Sequence, residues 1–126
     1  KGAVFMVDYK LTEAEENLAD IIWENEPIRS PDLVKICEER FDWKKSTTYT
    51  MLKRLEEKKV VQNNNSIVKS LIKKDDFYGE QSKLFVEENF EGSLPRFIAA
   101  FTRRKKLSKN EVRELQRLIE DYEEEV

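Results

Sequence analysis

The chain has 126 residues, is 39% hydrophobic and 39% charged, and carries a net charge of −3. This suits a small domain with an added oligomerisation segment and is too apolar for a disordered chain. No apolar run approaches the roughly 18 residues of a membrane span and no signal-peptide pattern is present, so no membrane insertion is expected. Cys37 is the single cysteine and histidine is absent. An intramolecular disulfide is therefore excluded, a reducing cytoplasm is the expected compartment, and no cofactor or metal is expected.

Net acidity argues against a protein that coats nucleic acid indiscriminately, but the charge is segregated. Residues 1–43 carry a net −6, residues 44–74 a net +7 and residues 75–126 a net −4. One basic block in an acidic chain is the electrostatic footprint expected where phosphates are met.

Lys1 to Phe5 reads as a leader left by expression, with Met6-Val7-Asp8 as the encoded start. The first helix is predicted from Thr12, because Thr12-Glu13-Ala14-Glu15 is a capping box in which Thr12 accepts from a free amide and Glu15 reaches back. Leu18, Ile21 and Ile22 give it an apolar stripe, and Pro27 stops it. Ser30-Pro31 predicts an N-cap and a first-turn proline for a short second helix over 31–40, with Leu33, Val34, Cys37 and Phe41 at helical spacing and a turn at Phe41-Asp42-Trp43. Cys37 lies on that apolar stripe and reads as a core thiol.

The third helix is predicted over 46–58. Thr48, Met51, Leu52 and Leu55 form its inward side, and Thr47, Thr50 and Arg54 share an outer stripe. It has no acidic residue before Glu56. Val60-Val61-Gln62 and Ile67 to Ile72 are β-branched enough for strands, and Asn63 to Ser66 marks the turn between them. Helices followed by a hairpin give the order of a winged helix. After Lys74 the pattern returns to helix: residues near 80–90 place Leu84, Phe85 and Phe90 in register, and Pro95 opens a stretch with Phe97, Ile98 and Phe101 on one side. Beyond the basic run 103–106, read as a loop, a last helix begins at the capping box Ser108 to Glu111 and bears Val112, Leu115, Leu118, Ile119 and Tyr122. The fold class is mainly α with a small β-hairpin: a winged helix-turn-helix over 6–74 and a C-terminal helical dimerisation segment over 75–126.

The chemistry points to DNA. Thr47 and Thr50 can bond base edges or pack a methyl on thymine, and Tyr49 can reach a phosphate or a base. Lys44, Lys45, Ser46, Lys53 and Arg54 suit the sugar-phosphate backbone, with Arg54 long enough for a guanine edge. Leu84, Phe85, Phe97, Ile98, Phe101, Val112, Leu115, Leu118, Ile119 and Tyr122 have little chain to cover them, and a second subunit is the simplest cover. The carboxylate pairs Glu15-Glu16 and Glu38-Glu39 are chain neighbours facing different ways and read as solvated surface, so the chain is not expected to be an enzyme. A winged-helix protein-interaction module whose basic face docks an acidic protein is the alternative.

The stretch Ser46 to Lys58, with its threonine-rich start and Leu52-Lys53-Arg54-Leu55 core, resembles the penicillinase-repressor family of β-lactamase and methicillin-resistance repressors. Leu11 to Glu15, Ile21-Ile22-Trp23 and Leu107 to Glu111 with Glu114-Leu115 are similar to it as well. The resemblance implies a homodimer on palindromic double-stranded operator DNA. It also implies release by a protease linked to a membrane β-lactam sensor, with Ala100-Phe101 at the position of the cleaved bond. Alanine at 100 stands where the well-known cleaved members have asparagine. Lys59 stands where the family usually has glycine, which requires an unusual backbone or a different turn there. The wing, Asn63 to Ser70, has only Lys69 as a charge.

Overall fold

The computed structural model describes residues 6–125; the reading of Lys1 to Phe5 lies outside them. The elements run α1 (Glu13–Asn25), β1 (Ile28–Arg29), α2 (Ser30–Phe41), α3 (Lys45–Glu57), β2 (Val61–Asn64), β3 (Ile67–Ser70), α4 (Lys74–Phe90), α5 (Leu94–Arg104) and α6 (Lys109–Glu125). They form two compact units, one ending at Ser82 and the other beginning at Lys83. The first is a winged helix and the second is helical, as the sequence predicts.

The local signals explain most of the first unit. Thr12 caps α1 with the full capping box: its hydroxyl accepts from the Glu15 amide at 3.2 Å and its own amide donates to Glu15 Oε1 at 2.8 Å. Leu18, Ile21 and Ile22 of α1, Leu33 and Cys37 of α2, and Leu52 and Leu55 of α3 meet in one core with Val60, Val61, Val68 and Phe77. Cys37 is buried there, and burial pushes its thiol above the ordinary value, softened by the Thr48 hydroxyl and Arg40, so it is a poor nucleophile. Asp42 closes α2 in the left-handed region at φ 57°. Lys59 takes φ 66°, the conformation a glycine would adopt freely, and so meets the requirement set by its position. In the hairpin Asn65 and Ser66 both have positive φ, 52° and 67°, the signature of a type I′ turn.

The structure corrects several expectations from the sequence. β1 was not foreseen; it pairs antiparallel with β3, Ile28 opposite Val68 and Arg29 opposite Ile67, giving a sheet of order β1-β3-β2. Ser30 does not cap α2. The cap position is Arg29, and the Ser30 amide is held at 2.8 Å by Ser66 O across the sheet. The fourth helix runs from Lys74 to Phe90, where the helical pattern of the sequence returns, but Arg103 and Arg104 belong to α5, so only the second half of the basic run is non-helical.

Glu15 is not solvated surface: it is 2% exposed. Its carboxylate accepts from Lys58 Nζ at 2.7 Å, and the same ammonium donates to Lys10 O at 2.6 Å, tying the end of α3 to the start of α1. Burial alone would raise the Glu15 pKa, but the Lys58 ammonium and the Thr12 amide and hydroxyl outweigh it and hold it below the usual glutamate value. A depressed folded pKa means that this stabilisation is complete above the unfolded value. It fades as pH falls through about 4.3 and on through the lower folded value. Glu15→Gln is expected to cost about 1–3 kcal/mol at neutral pH and to flatten the acid limb of stability. Urea midpoints measured from neutral pH downward check this; an unchanged acid limb would show that the pair is energetically silent.

Candidate nucleic-acid interface

α3 is amphipathic because its apolar residues recur at helical spacing. Thr48, Leu52 and Leu55 are buried and Met51 is half-buried, which turns the opposite side outward. Ser46, Thr50, Lys53 and Arg54 are exposed on it, as are Lys44 and Lys45 at its start, while Thr47 is half-buried. Thr47, Thr50 and Arg54 therefore share one outer stripe, with Thr47 at the foot of the helix. Tyr49 is placed differently from the free contact residue the sequence suggests. Its ring is half-buried against the core and its hydroxyl donates to Ser30 Oγ at 3.3 Å, so it braces α3 against α2 and leaves only an acceptor lone pair for a ligand.

Up to Arg54 the charges of α3 have one sign, with Glu56 and Glu57 only at its end. Its first turn holds no acid and no side chain caps it, so its positive dipole end is uncompensated, which favours an anion. Among the described residues none of Lys44, Lys45, Lys53 and Arg54 forms an ion pair. The basic block is nonetheless thinner at the surface than in the sequence, because Lys58 pairs with Glu15 at 2.7 Å and Lys74 with Asp20 at 3.3 Å. The hairpin beside α3 has a neutral tip, Asn64 to Ile67 all exposed, followed by exposed Lys69. Sequence reasoning missed Arg29, which β1 sets beside this hairpin; its signal was non-local, since β1 exists only by pairing with β3.

The second unit is organised by aromatic contacts. Phe85, Phe90, Phe97 and Phe101 follow one another at centroid separations of 6.1, 5.5 and 6.2 Å for the pairs 85–90, 90–97 and 97–101. Ser93 caps α5, and Ser108 and Glu111 form the second capping box at α6, with bonds of 2.9 and 3.1 Å. An open apolar cleft between α5 and α6 is lined by Phe97, Ile98, Phe101, Leu107 and Leu115. Leu84, Phe97, Ile98 and Leu115 are half-buried within the protomer, whereas Phe85, Phe101, Val112, Leu118, Ile119 and Tyr122 stay exposed. Leu94 joins the exposed set, although helical spacing does not single it out. The Ala100–Phe101 bond lies inside α5.

Among the described residues no cluster of histidine, cysteine, aspartate and glutamate could hold a metal ion, and no helix is long and apolar enough to cross a membrane.

The family model described as "Penicillinase repressor" matches residues 11–121. The chain is similar to the "Methicillin resistance regulatory protein MecI" of Staphylococcus aureus, with 24% identity over 115 residues covering 88% of this chain and 94% of the relative. It is also similar to the "Penicillinase repressor" of Bacillus licheniformis, with 23% identity over 117 residues covering 90% and 91%.

Proposed function

The chain belongs to the penicillinase repressor family, a family of transcriptional repressors and not of enzymes, and from that premise we propose that it is a homodimeric repressor that binds palindromic operator DNA through α3 in the β-lactam response. The observation that carries the reading is the outer face of α3: exposed Lys44, Lys45, Thr50, Lys53 and Arg54, free of ion pairs among the described residues and with no acid in the first turn. The cations neutralise phosphates and set register, while Thr47, Thr50 and Arg54 read base edges in the major groove. The exposed apolar stripe of α6 covers itself against a second copy, which places two recognition helices on the two half-sites.

Thr47→Ala with Thr50→Ala is expected to narrow the gap between operator and random duplex by about 1–3 kcal/mol for each base-edge interaction removed. Lys53→Gln should weaken both DNAs alike and flatten the salt dependence. Fluorescence anisotropy with DNA from upstream of the gene, against random duplex across a salt series, checks both. A wild-type chain that binds no such site better than random duplex would sink the reading.

The neutral wing tip favours a second reading, a protein-interaction module whose basic face takes an acidic partner. The same titration separates the two, because that module gives no operator preference. A release step by cleavage of Ala100–Phe101 requires α5 to unwind first, since a peptide bond enters a protease extended and this one is helical. Mass spectrometry of the chain from β-lactam-treated cells shows whether that bond is cut.

A further inference from the structure

The hairpin looks too poorly charged to hold DNA, with Lys69 as its one charged residue, but the sheet it belongs to has a third strand. β1 contributes Arg29. In an antiparallel sheet directly opposite residues share a face and alternate residues change it. Ile28, opposite Val68, is buried on the core face. Arg29, opposite Ile67, therefore lies on the solvent face, and Ile67 and Lys69 of β3 lie there with it, all three exposed. β2 completes that face with Asn64 opposite Ile67 and Gln62 opposite Lys69. The face is two cations, two amides and one apolar side chain, with no acid.

Among the described residues the Arg29 side chain makes no hydrogen bond or ion pair that ties it to the fold. It makes no capping bond to α2, and among the described residues neither Arg29 nor Lys69 forms an ion pair. Its backbone, by contrast, is fixed at the junction of the two DNA-reading elements. The next residue, Ser30, donates its amide to Ser66 O in the hairpin turn at 2.8 Å, and its hydroxyl accepts from Tyr49 of α3 at 3.3 Å. Arg29 and Lys69 are diagonal neighbours across the strand pair, on the order of 7–8 Å apart at the backbone. That spacing lets each cation take its own phosphate of one strand, with Gln62 and Asn64 as neutral donors beside them.

We infer that Arg29 and Lys69 form a phosphate-binding face on the wing sheet, so that the wing grips the sugar-phosphate backbone of duplex DNA through a residue supplied by β1 and not by the hairpin alone. The inference rests on the DNA-binding reading above. The contact carries charge and no sequence information, so it should show equally on random duplex and operator.

The test is the slope of log affinity against log salt for the full chain on random-sequence duplex. Arg29→Gln and Lys69→Gln are each expected to reduce the slope by about 0.9 per bound protomer, the double variant by about twice that, and Arg29→Lys to keep it. Both positions are exposed, and thermal melts confirm that the variants stay folded. If the wild type binds duplex DNA and the double variant keeps its full slope, the face is overturned while the DNA-binding reading stands. If Arg29→Lys lowers the slope as much as Arg29→Gln, the arginine acts through the fold and the face is likewise overturned. If the wild type binds no duplex at all, the DNA-binding reading fails and takes this inference with it.

Discussion

Ile119→Asp is expected to turn a dimer into a monomer and to lower operator affinity by a factor of about 10²–10⁴, while leaving the unfolding of the winged-helix unit unchanged. Ile119 is 60% exposed and sits on the α6 stripe with Val112, Leu115, Leu118 and Tyr122. In a single protomer Ile119, Leu118 and Tyr122 meet water, which is where an aspartate is cheap. In a seam the same aspartate would be stripped of solvent with no partner, a cost far above the value of the isoleucine it replaces. In the proposed dimer two linked recognition helices would make binding at the second half-site intramolecular, at an effective concentration in the millimolar range, and separate protomers would forgo that advantage. Sedimentation velocity and operator titration read the two effects separately. A variant that stays dimeric would move the seam off α6. A monomer that binds the operator as tightly as the wild type would remove dimerisation from the mechanism.

What could be read from the sequence was what is encoded locally. Thr12 with Glu15 and Ser108 with Glu111 announce helix starts because both partners lie within four residues, and both boxes form. The inward set of α3 follows from helical spacing: Thr48, Leu52 and Leu55 are buried as read and Met51 is half-buried. At Lys59 it was the resemblance, with glycine usual at that position, that left an unusual backbone or a different turn open, and the φ of 66° is the first of these. The misses share the opposite property. β1 is a two-residue strand whose partner lies about forty positions on, so nothing in Ile28-Arg29 itself marks it. Glu15 looked like half of an exposed acidic pair, because the lysine that buries it stands at position 58. Within the site, the charges of Lys44, Lys45, Lys53 and Arg54 were legible, but the bracing of Tyr49 by Ser30 and the placing of Arg29 beside the wing were not, since both depend on how distant segments meet.

α4 is the sharpest case of that non-local encoding, and it makes the second large expectation. The helix has no single apolar stripe along its length. Its first turns belong to the first unit and its end to the second. Phe77 sits in those turns and is 0% exposed, its ring 5.1 Å from Tyr9 and 5.5 Å from Trp23. Trp23 in turn donates its indole N–H to Ile72 O at 3.0 Å, so the aromatic group pins the end of α1, the chain after β3 and the start of α4 together. Phe77→Ala removes the side chain common to these contacts and leaves a cavity beside Trp23, whose own bond to Ile72 O resists its collapse into the space. The expected cost is about 3–5 kcal/mol, a large share of the roughly 5–15 kcal/mol typical of a domain, and a fall in melting temperature of about 12–40 °C for a unit of this size. Thermal unfolding followed by circular dichroism measures it. A cost below about 1 kcal/mol would mean that α4 only lies against the winged helix and is no part of its core. A cost in the expected range makes the first turns of α4 a structural part of the DNA-binding unit, and any truncation that ends before Phe77 should then unfold that unit.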